Sequence, residues 1–195
     1  MKETMILKDL NQIKAFAHPL RARLVEAFAD APRTAKQVAE IIGQKPTKLY
    51  HHVEALERVG LVRLVRTQKK RGTLEKYYRT VARRFMVDGR LFLTKGNDKE
   101  VFGEFRAMFM TMLENTMQEI NESISEKLIC PGKRETEAIL IRKHIRTTQD
   151  QVAKLEQKIH TLLDEFTAAR EKRGDIEYGL TLVFYPVARN KKRSQ

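Results

Sequence analysis

Apolar residues recur through the first sixty positions at the three- and four-residue spacing of amphipathic helices. The spacing predicts four short helices, each opened by a capping residue or a proline: Asp9, Pro19, Thr34 and Pro46. Gln37, three residues after Thr34, completes a capping box for the third helix. Because only residues 43–45 separate the third helix from the fourth, the pattern predicts a helix-turn-helix pair.

The pattern changes to that of β-strands after Gly60. Residues 61–68 and 74–81 are rich in Val, Leu and Tyr and predict two strands. The short basic connection between them contains Gly72, which permits a tight reversal, so the two strands are expected to form a hairpin. Residues 84–93 could add a further strand. The predicted elements have the order of a winged helix-turn-helix: helices, a tight turn, another helix and then a hairpin.

The second half of the chain is predicted to be mostly helical. One helix should run from Asp98 to about Leu128 with a broad apolar face, and a longer one from about Glu135 to Lys172. In the longer helix apolar residues alternate in steps of four and three, which is the seam of a coiled coil. The residues expected at a dimer interface on this seam are Ile145, Val152, Leu155, Ile159, Leu162 and Phe166. Packing of the two helices within one chain is the alternative, and it is compatible with a dimer.

The expected fold class is mainly α, of the α+β type. A winged helix-turn-helix domain (residues 1–93) is followed by a long-helix, coiled-coil dimerisation region (residues 94–188). That region ends in a C-terminal β-strand at residues 178–187, the most strand-like segment of the sequence. The basic tail, residues 189–195, is expected to be disordered.

Charge is divided unevenly between these parts. The chain carries a net charge of +13, and residues 1–93 hold 20 Lys and Arg against 9 Asp and Glu, a balance of +11. Residues 94–188 hold 14 against 16, a balance of −2. An excess of positive charge confined to one domain favours a polyanion partner. When lysines and arginines neutralise phosphates, the counterions condensed on the phosphates are released, and this release favours binding.

The fourth helix has the residues that reading of double-stranded DNA requires. A helix presented across a tight turn fits a major groove about 12 Å wide. Removing the buried stripe leaves side chains that donate hydrogen bonds or contact thymine methyl groups: Lys45, Thr47, Lys48, Tyr50 and His51. Thr34 and Lys36, on the supporting helix, are expected to assist. His52 is expected to pack inside, and two adjacent histidines should point in different directions and not share a metal ion.

The hairpin is basic, with Glu75 as its one acid. Runs of charge usually form solvated faces, but here the run lies where a hairpin flanks a groove-bound helix, which favours contact with phosphates. The candidate wing residues are Arg66, Lys69, Lys70, Arg71 and Lys76.

Residues 45–53, Lys-Pro-Thr-Lys-Leu-Tyr-His-His-Val, together with Leu56 and residues 59–62, Val-Gly-Leu-Val, resemble the ArsR-type winged-helix regulators. Residues 17–24, Ala-His-Pro-Leu-Arg-Ala-Arg-Leu, are similar to the opening of that family's second helix. The resemblance covers about residues 12–84. It implies a dimeric, usually repressing transcription factor whose fourth helix reads the major groove. The paired-cysteine motif of the metal-sensing branch is missing, so no metal and no cofactor are expected.

Other classes of function fit less well. There are no catalytic spacings, so an enzyme is not expected, and the lone Cys130 with no long uncharged apolar run favours a cytoplasmic, nucleoid-associated protein rather than a membrane protein. The Met- and Phe-rich face at residues 102–117 could line a pocket for an apolar small-molecule effector, or be plain core. Two alternatives to a site-specific regulator stay open: a non-specific architectural DNA-binding protein and a coiled-coil protein-interaction module.

Overall fold

A computed structural model of the chain describes residues 1–70, 72–93, 98–130, 132, 138–169 and 178–187. The chain divides into two compact units, Met1–Ile129 and Cys130–Gln195. Each unit is described separately below.

The described residues of the first unit form five α-helices and five strands. Its helices are α1 (Leu10–Phe16), α2 (Pro19–Ala27), α3 (Ala35–Ile41), α4 (Pro46–Arg58) and α5 (Asp98–Ser125). Its strands are β1 (Lys2–Leu7), β2 (Arg33–Thr34), β3 (Val62–Lys70), β4 (Thr73–Thr80) and β5 (Ala82–Val87). A single 3-10 turn, Gly89–Leu93, follows β5, so the expected strand at residues 84–93 is shorter and earlier than predicted.

Two small sheets support the helices. In the first sheet β3 and β4 form the antiparallel hairpin predicted from the sequence, and β2 pairs with β4 on the other side. In the second, β1 pairs with β5 in parallel, and Leu7 lies opposite Val87. No β1 strand was predicted. The pairing of β1 with β5 places residues 2–7 beside the strand that follows the hairpin.

The local signals that begin and end these helices act as predicted. The Asp9 carboxylate accepts a hydrogen bond from the Gln12 N–H at the start of α1. Thr34 and Gln37 form the reciprocal capping box of α3. Gly60, just after α4, has a φ of +74°, a conformation that side chains with a Cβ rarely adopt. The chain can therefore leave α4 and enter the hairpin within a few residues.

The core of the first unit lies between α2, α3, α4 and the hairpin. Its largest fully buried side chains come from each of these elements: Leu24, Phe28, Val38, Leu49, Val53, Leu56, Leu61 and Val62. Phe28 meets Tyr78 of β4 edge-on, with ring centroids 6.1 Å apart. Burying these side chains fixes the orientation of α4, because its apolar stripe has only one place to pack.

Helix α5 belongs to the first unit. The Thr111 hydroxyl donates to the Ala17 carbonyl at 2.8 Å, and the Asn115 amide donates to the Pro19 carbonyl at 3.3 Å. Both acceptors lie where α1 gives way to α2. The compact unit therefore extends to Ile129, past residue 93, where the sequence predicts the end of the winged helix-turn-helix domain.

In the second unit, α6 (Gln149–Ala168) is shorter than the helix predicted from about Glu135 to Lys172. The Thr148 hydroxyl caps it by accepting from the Gln151 N–H. Residues 138–147 before it are not helical. Ile145 therefore lies outside the helix, and the seam predicted to include it was wrong at that position, because the Ile-rich run and two threonines favour extended backbone.

The predicted C-terminal strand is also corrected. Residues 178–187 carry neither strand nor helix. Strand propensity depends strongly on context, so the composition of this segment alone does not make it a strand. Arg71 of the hairpin turn and the basic tail at residues 189–195 lie outside the described residues.

Candidate nucleic-acid interface

Helix α4 is anchored by one face and free on the other. Leu49, Val53 and Leu56 are buried in the core, at the four- and three-residue spacing that the sequence indicated. Helix α3 packs beside α4, across the tight turn that contains Gly43. The remaining positions of α4 are thereby held at the surface.

All five residues predicted to read DNA are exposed. Tyr50 keeps 53% of its surface accessible, and Lys45, Thr47, Lys48 and His51 are also exposed. No acidic residue lies in the first turn of α4, and Lys45 caps the helix without a side-chain hydrogen bond. The positive end of the helix dipole therefore adds to the lysine charges, which favours contact with phosphate oxygens.

The two supporting residues on α3 differ. Lys36 is exposed, as a contact with DNA requires. Thr34 is buried and its hydroxyl accepts from the Gln37 N–H, so it caps α3, and its contact with DNA stays a prediction that this burial disfavours. Its backbone also pairs with Tyr77 in the sheet, which keeps it inside the domain.

The hairpin forms a basic wing. Its exposed lysines are Lys69, Lys70 and Lys76. Lys70 forms an ion pair with Glu75, with 3.8 Å between Nζ and Oε1. Gly72 has a φ of +81° in the turn, which is the conformation that the reversal needs. Exposed pairs of this kind contribute little to stability, so Lys70 can exchange the carboxylate for a phosphate.

Arg66 is held in a way that the sequence did not indicate. Its guanidinium carbon lies 4.0 Å from the centroid of the Tyr77 ring, a cation–π contact. An irregularity of register between Leu64 and Arg66 places Arg66, rather than Val65, opposite Tyr77. The Tyr77 hydroxyl in turn donates to Glu75 at 3.0 Å. Tyr77 therefore positions a wing arginine, and only the register of the hairpin reveals this role.

Three histidine rings lie close together where α4 meets the start of α2. His52 is buried, as predicted, with 8% of its surface accessible, and its ring lies 4.6 Å from that of His18. The His51 and His52 rings are 3.9 Å apart, so the prediction that adjacent histidines point in different directions was wrong. Within the described ranges no group of three or more His, Cys, Asp or Glu residues is placed to hold a metal ion.

Burial and neighbouring charge set the titration of this cluster. Burial, followed by His51, His18 and Arg21, lowers the pKa of His52 to about 4. Burial is also the main cause that lowers the pKa of His18. His52 is therefore neutral near pH 7 and serves packing between α2 and α4.

The Met- and Phe-rich face of α5 is an open surface. Phe102 and Phe109 are exposed, while Phe92 and Phe105 join them in a chain of ring contacts 4.8 to 5.1 Å long. A groove of about 490 Å³ runs along α5 farther on, beside Glu114, Met117, Gln118 and Asn121. Most of its lining residues are polar, although their apolar atoms contribute most of its surface, and binding of an apolar effector stays a prediction.

Comparison with known proteins supports the helix-turn-helix assignment. The family model described as helix-turn-helix domain matches residues 16–65, which hold α2, α3, α4 and the start of β3. Among proteins with curated descriptions, none matches the chain. In the part of the chain that the structure describes, no helix is long and apolar enough to cross a membrane. The first unit thus contains a helix-turn-helix domain of the kind found in DNA-binding regulators.

Proposed function

We propose that the protein is a sequence-specific, double-stranded DNA-binding transcription regulator that acts as a homodimeric repressor on the cytoplasmic nucleoid. In this proposal α4 enters the major groove and the basic wing grips the backbone. The observation that carries the proposal is the exposed set on α4, from Lys45 to His51, presented beside the lysines of the hairpin. We infer that it is no enzyme and that it needs no cofactor.

The ArsR-type assignment is part of the proposal. It is supported by residues 17–24, 45–53, 56 and 59–62, which resemble that family, and by the helix-turn-helix match at residues 16–65. Such regulators are usually repressors, and this resemblance is the reason for proposing repression rather than activation. A reporter gene placed behind a bound promoter tests the sign, because repression requires expression to rise when the protein is removed.

Dimerisation is proposed because a single winged helix covers too few base pairs for useful specificity. A two-fold axis would set two copies of α4 about 34 Å apart, one turn of DNA. Two apolar stripes support self-association: the half-buried Val152, Leu155 and Ile159 on α6, and the exposed apolar side chains of α5. Leu162 and Phe166 continue the α6 stripe.

The decisive experiment is selection of bound duplexes from a random pool, followed by mobility shifts at rising salt. A two-fold symmetric consensus that binds at least about a thousandfold more tightly than a scrambled duplex is expected for a site-specific dimer. Equal affinity for both duplexes would favour the architectural alternative, which the charge of the first domain alone could support. Absence of DNA binding would leave the protein-interaction module.

A further inference from the structure

Arg66 and Tyr77 contact each other on the outer face of the hairpin, the face opposite the core. Tyr78, the next residue of β4, packs on Phe28 in the core, so the Tyr77 side chain points to the other face. Tyr77 nevertheless keeps only 8% of its surface accessible. The Arg66 guanidinium lies over its ring, with 4.0 Å between its carbon and the ring centroid. This cation–π contact attracts the arginine and restricts its movement.

An irregularity of register in β3 produces this contact. In an unbroken register Val65 would lie opposite Tyr77, and Arg66 would lie opposite Lys76. Like charges directly opposite each other on neighbouring strands destabilise a sheet. The irregularity between Leu64 and Arg66 therefore replaces a repulsive pair with an attractive one.

Tyr77 is fixed to the frame of the helix-turn-helix. It lies on β4, the central strand of its three-stranded sheet, and its backbone pairs with that of Thr34 on β2. Thr34 is also the N-cap of α3, and α3 packs against α4. At the far end of the ring, the Tyr77 hydroxyl donates to Glu75 at 3.0 Å. The ring therefore has a set position relative to α4, and so has the guanidinium that lies on it.

The guanidinium of Arg66 keeps its hydrogen-bond donors available. Within the part of the chain that the structure describes, it forms no hydrogen bond and no ion pair with a protein oxygen. Arg84, in contrast, donates to the Glu3 carboxylate at 3.0 Å. A guanidinium that lies with its face on a ring still presents its N–H edge, and this edge fits two oxygens of a phosphate. Arg66 is therefore an exposed and already oriented phosphate donor.

We propose that Tyr77 is a positioning residue for DNA binding. Its ring holds Arg66 in the place from which the guanidinium donates to a backbone phosphate of the duplex, and Tyr77 itself does not touch the DNA. This role rests on the proposed function, because it requires a DNA partner. Ordering a flexible side chain at an interface costs binding free energy, so an arginine that is ordered beforehand binds its phosphate more tightly.

Anisotropy titrations of tyrosine variants of the full-length protein test this role. Tyr77→Leu removes the ring and should weaken cognate and scrambled duplexes alike by about two- to tenfold, the cost of ordering one freed arginine. The charge of Arg66 remains, so the salt slope should not change. Tyr77→Phe keeps the ring and should retain wild-type affinity. Tyr78→Leu is the matched control: it alters an equally buried tyrosine on the core side of β4 and should lower stability without lowering the affinity of the folded protein.

A double-mutant cycle separates positioning from general support of the fold. Arg66→Ala should weaken binding and lower the salt slope by about 0.9, because one phosphate contact is lost. In the Arg66→Ala background, Tyr77→Leu should cost less than about twofold, because the arginine that it positions is gone. Arg66→Lys tests the same contact from its exposed side and leaves the core untouched. It keeps the charge and the salt slope, and it should weaken binding by about two- to tenfold, because an ammonium does not lie flat on a ring.

The outcomes distinguish this role from the proposed function. A wild type that binds no duplex contradicts both. If the wild type binds DNA, the positioning role alone is overturned by wild-type affinity in Arg66→Lys or in folded Tyr77→Leu. A loss from Tyr77→Leu that is the same with and without Arg66, or that Tyr77→Phe reproduces, also overturns it. Urea unfolding shows which variants are folded. If Tyr77→Leu does not fold, Arg66→Lys decides: weakened binding with the wild-type salt slope supports the role, and unchanged binding overturns it.

Discussion

The imidazole ring of His52 on α4 lies 4.6 Å from that of His18 at the start of α2. The pKa of His52 in the folded protein is lowered to about 4, below its ordinary value of 6.5, mainly by burial. The unfolded chain therefore binds this proton more readily than the folded protein does. Stability should be complete above about pH 6.5 and should decrease as the pH falls towards 4.

Urea unfolding at pH 7.5, 6.0 and 4.5 measures this dependence, and the midpoint is expected to fall at each step. His52→Gln, which cannot gain the proton, should make the decrease shallower. His144→Gln, at an exposed site in the second unit, is the control and should keep the wild-type slope. A midpoint that rises on acidification, or equal slopes in wild type and His52→Gln, would contradict the buried neutral imidazole.

Substitutions at Thr34 and Lys36 are expected to have separate effects, one on stability and the other on DNA binding. Thr34→Ala removes the cap of α3 and should lower the free energy of unfolding by about 1 kcal/mol, with the affinity of the folded protein for DNA retained. Lys36→Ala should do the reverse, lowering affinity while stability stays within about 0.5 kcal/mol. Urea unfolding and fluorescence anisotropy measure the two effects. A folded Thr34→Ala protein with clearly weakened binding would restore the threonine as a contact.

Much of the first unit could be predicted because its signals are local. The caps at Asp9 and Thr34 and the turn glycine at Gly72 each act within a few residues of themselves. The exposed face of α4 could be inferred because Leu49 and Val53 were assigned to the core, which leaves the other positions of the helix at the surface. These features need no knowledge of distant parts of the chain.

The features that were missed depend on partners far away in the sequence. Residues 2–7 become β1 only because β5 lies beside them, and their own pattern is not that of a strand. The contact of Arg66 with Tyr77 depends on a one-residue shift in the hairpin that no pattern reveals. The four- and three-residue spacing of α6 also continues back to Ile145, so spacing alone could not locate the helix start at Thr148.

The wing lysines should contribute to binding of any DNA sequence. Lys69→Ala and Lys70→Ala are each expected to weaken cognate and scrambled duplexes by a similar factor. Each should also reduce the slope of log K against log salt by about 0.9, because one phosphate contact is lost. Anisotropy titrations between low and moderate salt measure the slope. The control Lys154→Ala on α6 removes the same charge away from the wing and should leave the salt slope unchanged.

If wing substitutions altered sequence preference and left the salt slope unchanged, the roles given to wing and helix would have to be exchanged. The existing Lys70–Glu75 pair predicts one further difference. Because the lysine must leave its carboxylate to bind a phosphate, Lys70→Ala should weaken binding no more than Lys69→Ala does.

Tyr50 is expected to contribute to sequence choice. Tyr50→Phe removes only the hydroxyl group, and it should reduce discrimination at one base pair by about 10- to 100-fold, the range for loss of a base contact. Repeating the duplex selection with the variant detects the change as one relaxed position. Tyr185→Phe removes the same group in the second unit and should leave the consensus unchanged. An unaltered consensus with Tyr50→Phe would remove this hydroxyl from the reading set.

The apolar stripe of α6 should be required for self-association. Val152→Asn combined with Leu155→Gln is expected to yield monomers in sedimentation velocity, because the stripe loses the apolar area that a dimer would bury. The control Glu156→Gln alters the exposed side of the same helix. Dimers that persist in the double variant would place the interface elsewhere, and the apolar side chains of α5 would then be the next surface to alter.

The parallel pairing of β1 with β5 affects how a nascent chain folds. Lys2–Leu7 are synthesised before their partner Ala82–Val87, which is made only after the three core helices and the wing. Leu7, which is buried in the finished core, must therefore wait while the helices behind it begin to pack. A strand that is synthesised before the helices of this domain is thus among the last of its elements to reach its place.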